Sequence, residues 1–196
     1  MTGFDEKRYT DSETGRWLLR LLMRDDVFAR LILCTDEVCE ALPEARRMIG
    51  FDQRNPHHPY DVWIHTAHGV ASIAPDPVLR LAMLMHDTGK PDTFYLAEDD
   101  VGHFNKHEVR GEQIVRERLP ELGFDADMVE TIALLVLNHD KGISEKELWR
   151  LVADLGEEWF RSLLDIKEAD ARSHDEKYKN NQLARVDELR RILNES

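Results

Sequence analysis

Apolar residues recur at intervals of three and four along almost the whole chain, and that spacing constrains the fold more than any other feature. It gives each helix one apolar stripe, and the stripes must be buried against one another. The pattern runs through "TGRWLLRLLMRDDVFARLILC" (14–34), through "VLRLAMLMH" (78–86) after Pro75 and Pro77, and through "ADMVETIALLVLNH" (126–139). Asn105 to Glu108 and Ser144 to Glu147 have the polar-x-x-Glu form of a capping box, which predicts helices opening at "NKHEVRGEQIVRERL" and "SEKELWRLVADL". Gly123, Gly142 and Gly156 fall where helices would end or turn. A further helix is expected over "EEWFRSLLDIKEADARSH", and a charge-laced one closes the chain at 176–195. The one strand-like patch is "TFYLAEDDVGHF", residues 93–104, where acidic turn residues separate two short alternating runs. The expected fold is therefore all-α, with one small hairpin or ordered loop near 93–104.

No linker or internal repeat interrupts the pattern, so one domain is expected over 1–196. Its parts are N-terminal helices at about 12–48, a core at about 49–175 and a C-terminal helix at about 176–195. The 26 basic and 39 acidic residues give a net charge of −13, which opposes tight nonspecific binding to nucleic acid or anionic lipid. A small anionic substrate would need a local cation to hold it. Cys34 and Cys39 fit neither a CxxC metal site nor a disulfide framework. The N-terminal "MTGFDEKRYT" lacks a signal-peptide pattern, and no apolar run approaches the ~18 residues of a membrane span. A soluble, cytoplasmic protein is expected.

Chemistry concentrates on histidine and aspartate. His-Asp dipeptides stand at 86/87, 139/140 and 174/175, and the first two end strongly apolar helices, where polar side chains can project from a rigid frame. His174-Asp175 lies in a polar stretch and reads as solvated surface. His86 and Asp87 can share a divalent ion with open water positions, or His86 can interact with the helix dipole while Asp87 caps the next turn. In "NPHHPYDVWIHTAHGV", Asp61, His65 and His68 share one helical face. Asp61 is placed to orient the His65 imidazole or to touch a metal, while His68 reads more simply as a core or surface histidine. His103 and His107 are four apart, but the second histidine of an HExxH protease motif is missing. His107 falls in the first turn of its helix, where free N–H groups also favour a phosphate oxygen. His139 ends its helix as His86 does, and Asp170, between Ala169 and Ala171, is by itself an ordinary surface aspartate.

The order His65, then His86-Asp87, then Asp170 resembles the H…HD…D pattern of the HD-domain superfamily of metal-dependent phosphohydrolases. The likeness comes nearer still to the HD region of bacterial CCA-adding tRNA nucleotidyltransferases. It rests on "IGFDQRNPHHPYDVWIHT", "LRLAMLMHDTGKPDTF", "DDVGHFNKHEVRGEQIVRERL", "LLVLNHD" and "LLDIKEADA", spanning about Ile49 to Ala171. The resemblance implies an HD-domain helical bundle in which His65, His86, Asp87 and Asp170 bind a divalent ion. His107 and His139 would take a second ion, with Asp87 as the bridge. Lys90, in "HDTGK", would hold phosphate, with Lys106 and Arg110 as further cations. The nucleotidyltransferase signature does not occur in these 196 residues, so a stand-alone version of the HD part is expected rather than CCA addition.

The implied activity is hydrolysis of a phosphate ester of a nucleotide or related small molecule, by a phosphatase or a 2′,3′-cyclic phosphodiesterase. One or two ions of Mn, Fe, Ni, Co, Zn or Mg would activate a water, with Asp87 or a neighbouring carboxylate taking its proton. Two rivals are a non-catalytic nucleotide- and metal-binding regulatory module and a tRNA-processing accessory protein. The second would call for a basic stripe, which the −13 charge opposes.

Overall fold

Among the described residues, aspartate carboxylates cap the first turn of four of the α-helices, and the reason is local: a carboxylate satisfies backbone N–H groups that the first turn leaves without partners. In the computed structural model, which describes residues 4–98 and 100–195, Asp61 opens α4 (Val62–Ser72) and Asp76 opens α5 (Pro77–Met85). Asp125 opens α8 (Ala126–Asn138), and Asp175 opens α11 (Glu176–Asn194). Ser144 and Glu147 form the expected capping box at the start of α9 (Glu145–Leu155), which ends at Gly156 with φ +93°. From Gly156 the chain enters α10 (Glu157–Arg172).

The apolar stretch 14–34 does not form one helix. It breaks into α1 (Glu13–Leu22) and α2 (Val27–Leu33), followed after Cys34 by α3 (Thr35–Ala41). The break lies at Met23–Asp26, where Arg24 pairs with Asp26, and Arg80 of α5 reaches across to donate to the carbonyls of Leu22 and Arg24. A buried guanidinium thus receives the carbonyls that the end of α1 leaves free.

α5 forms the centre of the bundle, packing against α1, α4, α8 and α10. Its residues Leu81 to Met85 are 1% exposed or less. Burial on that scale contributes about 1.5–3 kcal/mol for each large side chain, enough to hold the C-terminal end of α5 rigid. The chain then makes the short α6 (Lys90–Thr93) and the hairpin β1 (Phe94–Leu96) and β2 (Gly102–Phe104). The strands are antiparallel, with Phe94 opposite Phe104, and the hairpin packs Phe94 edge-on against Phe51.

α7 (His107–Glu121) starts differently from the sequence expectation. Lys106 is left-handed at φ +65° and no side chain caps the helix, because Asn105 donates its amide to the Tyr95 hydroxyl of the hairpin. A tertiary contact has outcompeted the local capping box. Among the described residues, no helix is long and apolar enough to cross a membrane.

Candidate metal centre

Five helices deliver side chains to one point beside the end of α5. His65 comes from the first turn of α4, His86 and Asp87 from the residues just after α5, His107 from the first residue of α7, His139 from the residue after α8, and Asp170 from the last turn of α10. The two oxygens of Asp87 face different partners. Oδ2 lies 3.2 Å from His86 Nε2 and 3.5 Å from His65 Nε2, and Oδ1 lies 3.5 Å from His107 Nε2 and 3.7 Å from His139 Nε2. Asp170 Oδ1 completes the first set, 2.9 Å from His65 Nε2 and 3.6 Å from His86 Nε2.

The backbone decides which ring nitrogens are free. His86 Nδ1 lies 2.7 Å from the Met83 carbonyl, His107 Nδ1 2.9 Å from that of Phe104, and His139 Nδ1 2.6 Å from that of Val136. Carbonyls only accept, so each Nδ1 carries the hydrogen, and in the neutral ring Nε2 presents its lone pair to Asp87. The Nε2 atoms of His107 and His139 then face each other at 3.2 Å. Two lone pairs at that distance repel unless a proton or a metal cation lies between them, and His86 Nε2 is buried without an aligned hydrogen-bond partner. The donor set, imidazole and carboxylate without thiolate, therefore fits a divalent metal ion on either side of Asp87.

Electrostatics follow from the same packing. Burial works against a charged His86, but Asp87 and Asp170 outweigh it and push its pKa up to about 10. Burial alone would raise the Asp87 carboxyl, yet the charges of His86 and Lys90 hold it well below the usual range. Asp170 is likewise held low against burial, by His174, His65 and His86. On the other side of Asp87, burial and the neighbouring His139 pull His107 down.

The remaining sequence candidates divide. Lys90 is 5% exposed and sits beside the centre, with Nζ 2.7 Å from Asp87 Oδ2 and donating to Gln53 Oε1 at 2.9 Å. Gly89 lets this turn press on α7: a Cβ there would meet the His107 carbonyl at 2.2 Å, so closeness rather than a left-handed backbone demands glycine. Lys106 is exposed at the cavity wall, whereas Arg110 is drawn away to Asp92, to which its Nε donates at 2.8 Å. Asp61 does not orient His65; its carboxylate accepts from the N–H groups of Ile64 and Gly50. His68 packs between the rings of Phe28 and Tyr60, away from the centre, and His103 is exposed and stacks on Tyr95.

His174 corrects the sequence reading. Its side chain is 5% exposed rather than solvated, with Nδ1 2.9 Å from the Asp170 carbonyl and its ring against His58 and His65. Asp175 next to it caps α11 and pairs with His57. The i, i+4 spacing of Asp170 and His174 was a usable signal, since it places both on one face. Gln53 and His58 were also missed, and both lie in the irregular segment before α4 where no periodicity marks them. Burial, reinforced by the charge of Lys90, pushes His58 down to about 2, which keeps it neutral.

A cavity of about 630 Å³ opens onto the centre, with Asn55, His58, Phe104, Lys106, Lys141 and Tyr178 among its walls and Asp87, His107, His139 and Asp170 at its floor. The model of the HD domain family matches residues 57–185, which takes in every one of these floor residues. The chain belongs to the HD domain family. That membership places it in the metal-dependent phosphohydrolase superfamily. Curated relatives include the CC-adding tRNA nucleotidyltransferase of Thermus thermophilus, 36% identical over 112 residues, or 54% of this chain and 25% of that enzyme. The A-adding tRNA nucleotidyltransferase of Deinococcus radiodurans is 34% identical over 131 residues, 62% of this chain and 30% of that enzyme. The HD chain thus matches under a third of the length of either relative.

Proposed function

We propose that this protein hydrolyses a phosphate ester of a nucleotide or related small molecule, with a 2′,3′-cyclic phosphate as one candidate. The observation that carries the reading is the Asp87 carboxylate, whose two oxygens each face a pair of imidazole Nε2 atoms at the floor of an open cavity. His65, His86, Asp87 and Asp170 would hold one divalent ion, and Asp87, His107 and His139 a second. Such ions polarise a phosphoryl oxygen and make a water acidic enough to attack near neutral pH.

The chain's own residues do the rest. The carbonyls of Met83, Phe104 and Val136 fix the tautomers of three histidines, so that no reorientation is needed when an ion arrives. Lys90 holds the Asp87 carboxylate against Gln53 and lends positive charge to the floor, and Lys106 at the rim meets the incoming phosphate. Asp87 or Asp170 accepts the proton of the attacking water; both line the cavity, and Asp170, 21% exposed, is the more open of the two. The non-catalytic alternative differs only in turnover. Purified protein should hydrolyse p-nitrophenyl phosphate and a 2′,3′-cyclic nucleotide when Mn, Ni, Co, Fe or Mg is supplied. Absence of turnover with metal demonstrably bound would overturn the enzyme reading.

The names of the relatives favour a tRNA end as the substrate in a second reading. The charge of −13 weakens it, because tRNA binding depends on neutralising phosphates. A mobility shift with tRNA at physiological salt is the discriminating result.

A further inference from the structure

Lys167 stands one turn before Asp170 on α10 and belongs to none of the roles above. Its ammonium donates to the carbonyl of His139, which occupies one of three N–H donors. Among the described residues it forms no ion pair, and Asp140 and Asp170 act on it only from a distance. A largely buried ammonium without a bound counter-charge is costly, and in a chain with 39 acidic residues a carboxylate partner would be easy to supply.

The ammonium borders a second cavity, of about 110 Å³, between the end of α8, α10 and α11. Lys141, Arg185, Tyr178 and Gln182 also line it. Arg185 is anchored by donating to the Ile143 carbonyl and by pairing with Glu188, which holds its guanidinium in place at the wall. The carboxylates that face this space are Asp170, which is turned to His65, and Asp140, which is exposed and so screened by water. His139, Asp140, Lys141, Asp170 and Tyr178 line both cavities, so the smaller one continues the larger.

We propose that the smaller cavity is a second anion subsite, in which Lys167, supported by Lys141 and Arg185, takes a phosphate group other than the one hydrolysed. The substrate class is then a small molecule with phosphates at two separate positions, such as a nucleoside bisphosphate. This deepens the hydrolase reading and rests on it for the identity of the reacting phosphate.

The test uses phosphonates, whose C–P bonds a phosphohydrolase leaves intact, so that binding is read apart from turnover. Isothermal titration of the manganese-loaded chain compares propylphosphonate with the series from ethane-1,2-diphosphonate to pentane-1,5-diphosphonate. The best diphosphonate should bind at least about tenfold tighter than the monophosphonate, the scale of one charge-assisted contact. Lys167→Met should remove that preference and leave monophosphonate affinity unchanged, Lys167→Arg should keep most of it, and Arg185→Gln should weaken it. Chelation of manganese by the diphosphonate would persist in Lys167→Met, and a preference that survives there overturns the proposal. Equal affinities in the parent overturn it even if the Lys167 variant fails to fold. Hydrolysis of p-nitrophenyl phosphate is scored on the same preparation. Diphosphonate preference without hydrolysis would remove the enzyme reading and leave the subsite standing, and hydrolysis without preference would do the reverse.

Discussion

The two sides of the Asp87 carboxylate are built differently. The Oδ2 side gathers His65, His86 and Asp170 from three different helices or their ends, and it includes a second carboxylate. The Oδ1 side has His107 and His139 alone, at facing helix termini. More negative charge and more ligands favour retention of a divalent ion, so the Oδ2 side should hold its ion through purification and the Oδ1 side should exchange it. Asp87 is the one residue on which both depend. Asp87→Asn should therefore leave the protein without stoichiometric metal and lower phosphatase activity by about 10³-fold, the loss of several kcal/mol of charge stabilisation. Elemental analysis and p-nitrophenyl phosphate turnover check it. Full metal content in the variant would show that the carboxylate does not bridge the two sides.

Single histidine variants separate the sides with smaller effects. His86→Ala should strip both ions if the Oδ1 side cannot bind alone, whereas His139→Ala should lose only the second and keep about half of the parent metal. Activity in His139→Ala should fall about 100-fold, within the range seen when a metal site is weakened rather than abolished. Equal metal content in His139→Ala and the parent would leave a mononuclear site and remove the asymmetry.

The pKa shifts predict a different pH response on each side. The metal-free Oδ2 side keeps a proton on His86, since Asp87 and Asp170 push its pKa up to about 10 against burial. Below that pH an incoming ion must expel the proton. Affinity there should fall about tenfold for each unit of decreasing pH, with about one proton released per ion bound. His107 is shifted the other way, by burial and His139, and has no proton to give up at neutral pH. Titration of His139→Ala with Mn²⁺ in buffers of different ionisation enthalpy isolates the Oδ2 side. Binding heats independent of the buffer would show that His86 is neutral before metal arrives.

The Oδ2 side was also the more legible of the two in the amino-acid sequence. His65, His86-Asp87 and Asp170 stand in the order of a known metal-binding pattern, and the apolar run 81–85 announces the rigid helix that carries the pair. The hairpin and the Ser144 capping box were legible for a similar reason, being set by residues a few positions apart. What could not be read was set by residues distant in the chain. Lys90 is held by Gln53, 37 positions away, a partner that neither spacing nor the metal-binding pattern picks out. The capping box expected at Asn105 failed because the hairpin claimed that side chain, a partner that no local pattern reveals. His174 read as surface because its sequence neighbours are polar, although two of the rings packed on it, those of His58 and His65, lie more than a hundred residues away.

Asp61 offers the smallest and sharpest probe of the Oδ2 side. The spacing to His65 suggested a carboxylate that orients the imidazole, whereas the structure gives it to the N–H groups of Ile64 and Gly50 at the start of α4. If its work is to cap the helix that carries His65, Asp61→Ala should cost about 0.5–2 kcal/mol, the usual range for a lost N-cap. For a chain of this size that is a fall in Tm of about 2–4 °C per kcal/mol. Metal content and proton release should stay at parent values, because the ring nitrogens of His65 never touched the carboxylate. Asp61→Asn should restore most of the stability, since the amide oxygen can accept the same N–H bonds. Loss of the Oδ2 ion in Asp61→Ala, at a temperature where the variant is fully folded, would return Asp61 to the metal centre and break the division between the residues that hold the ion and those that only hold its helix.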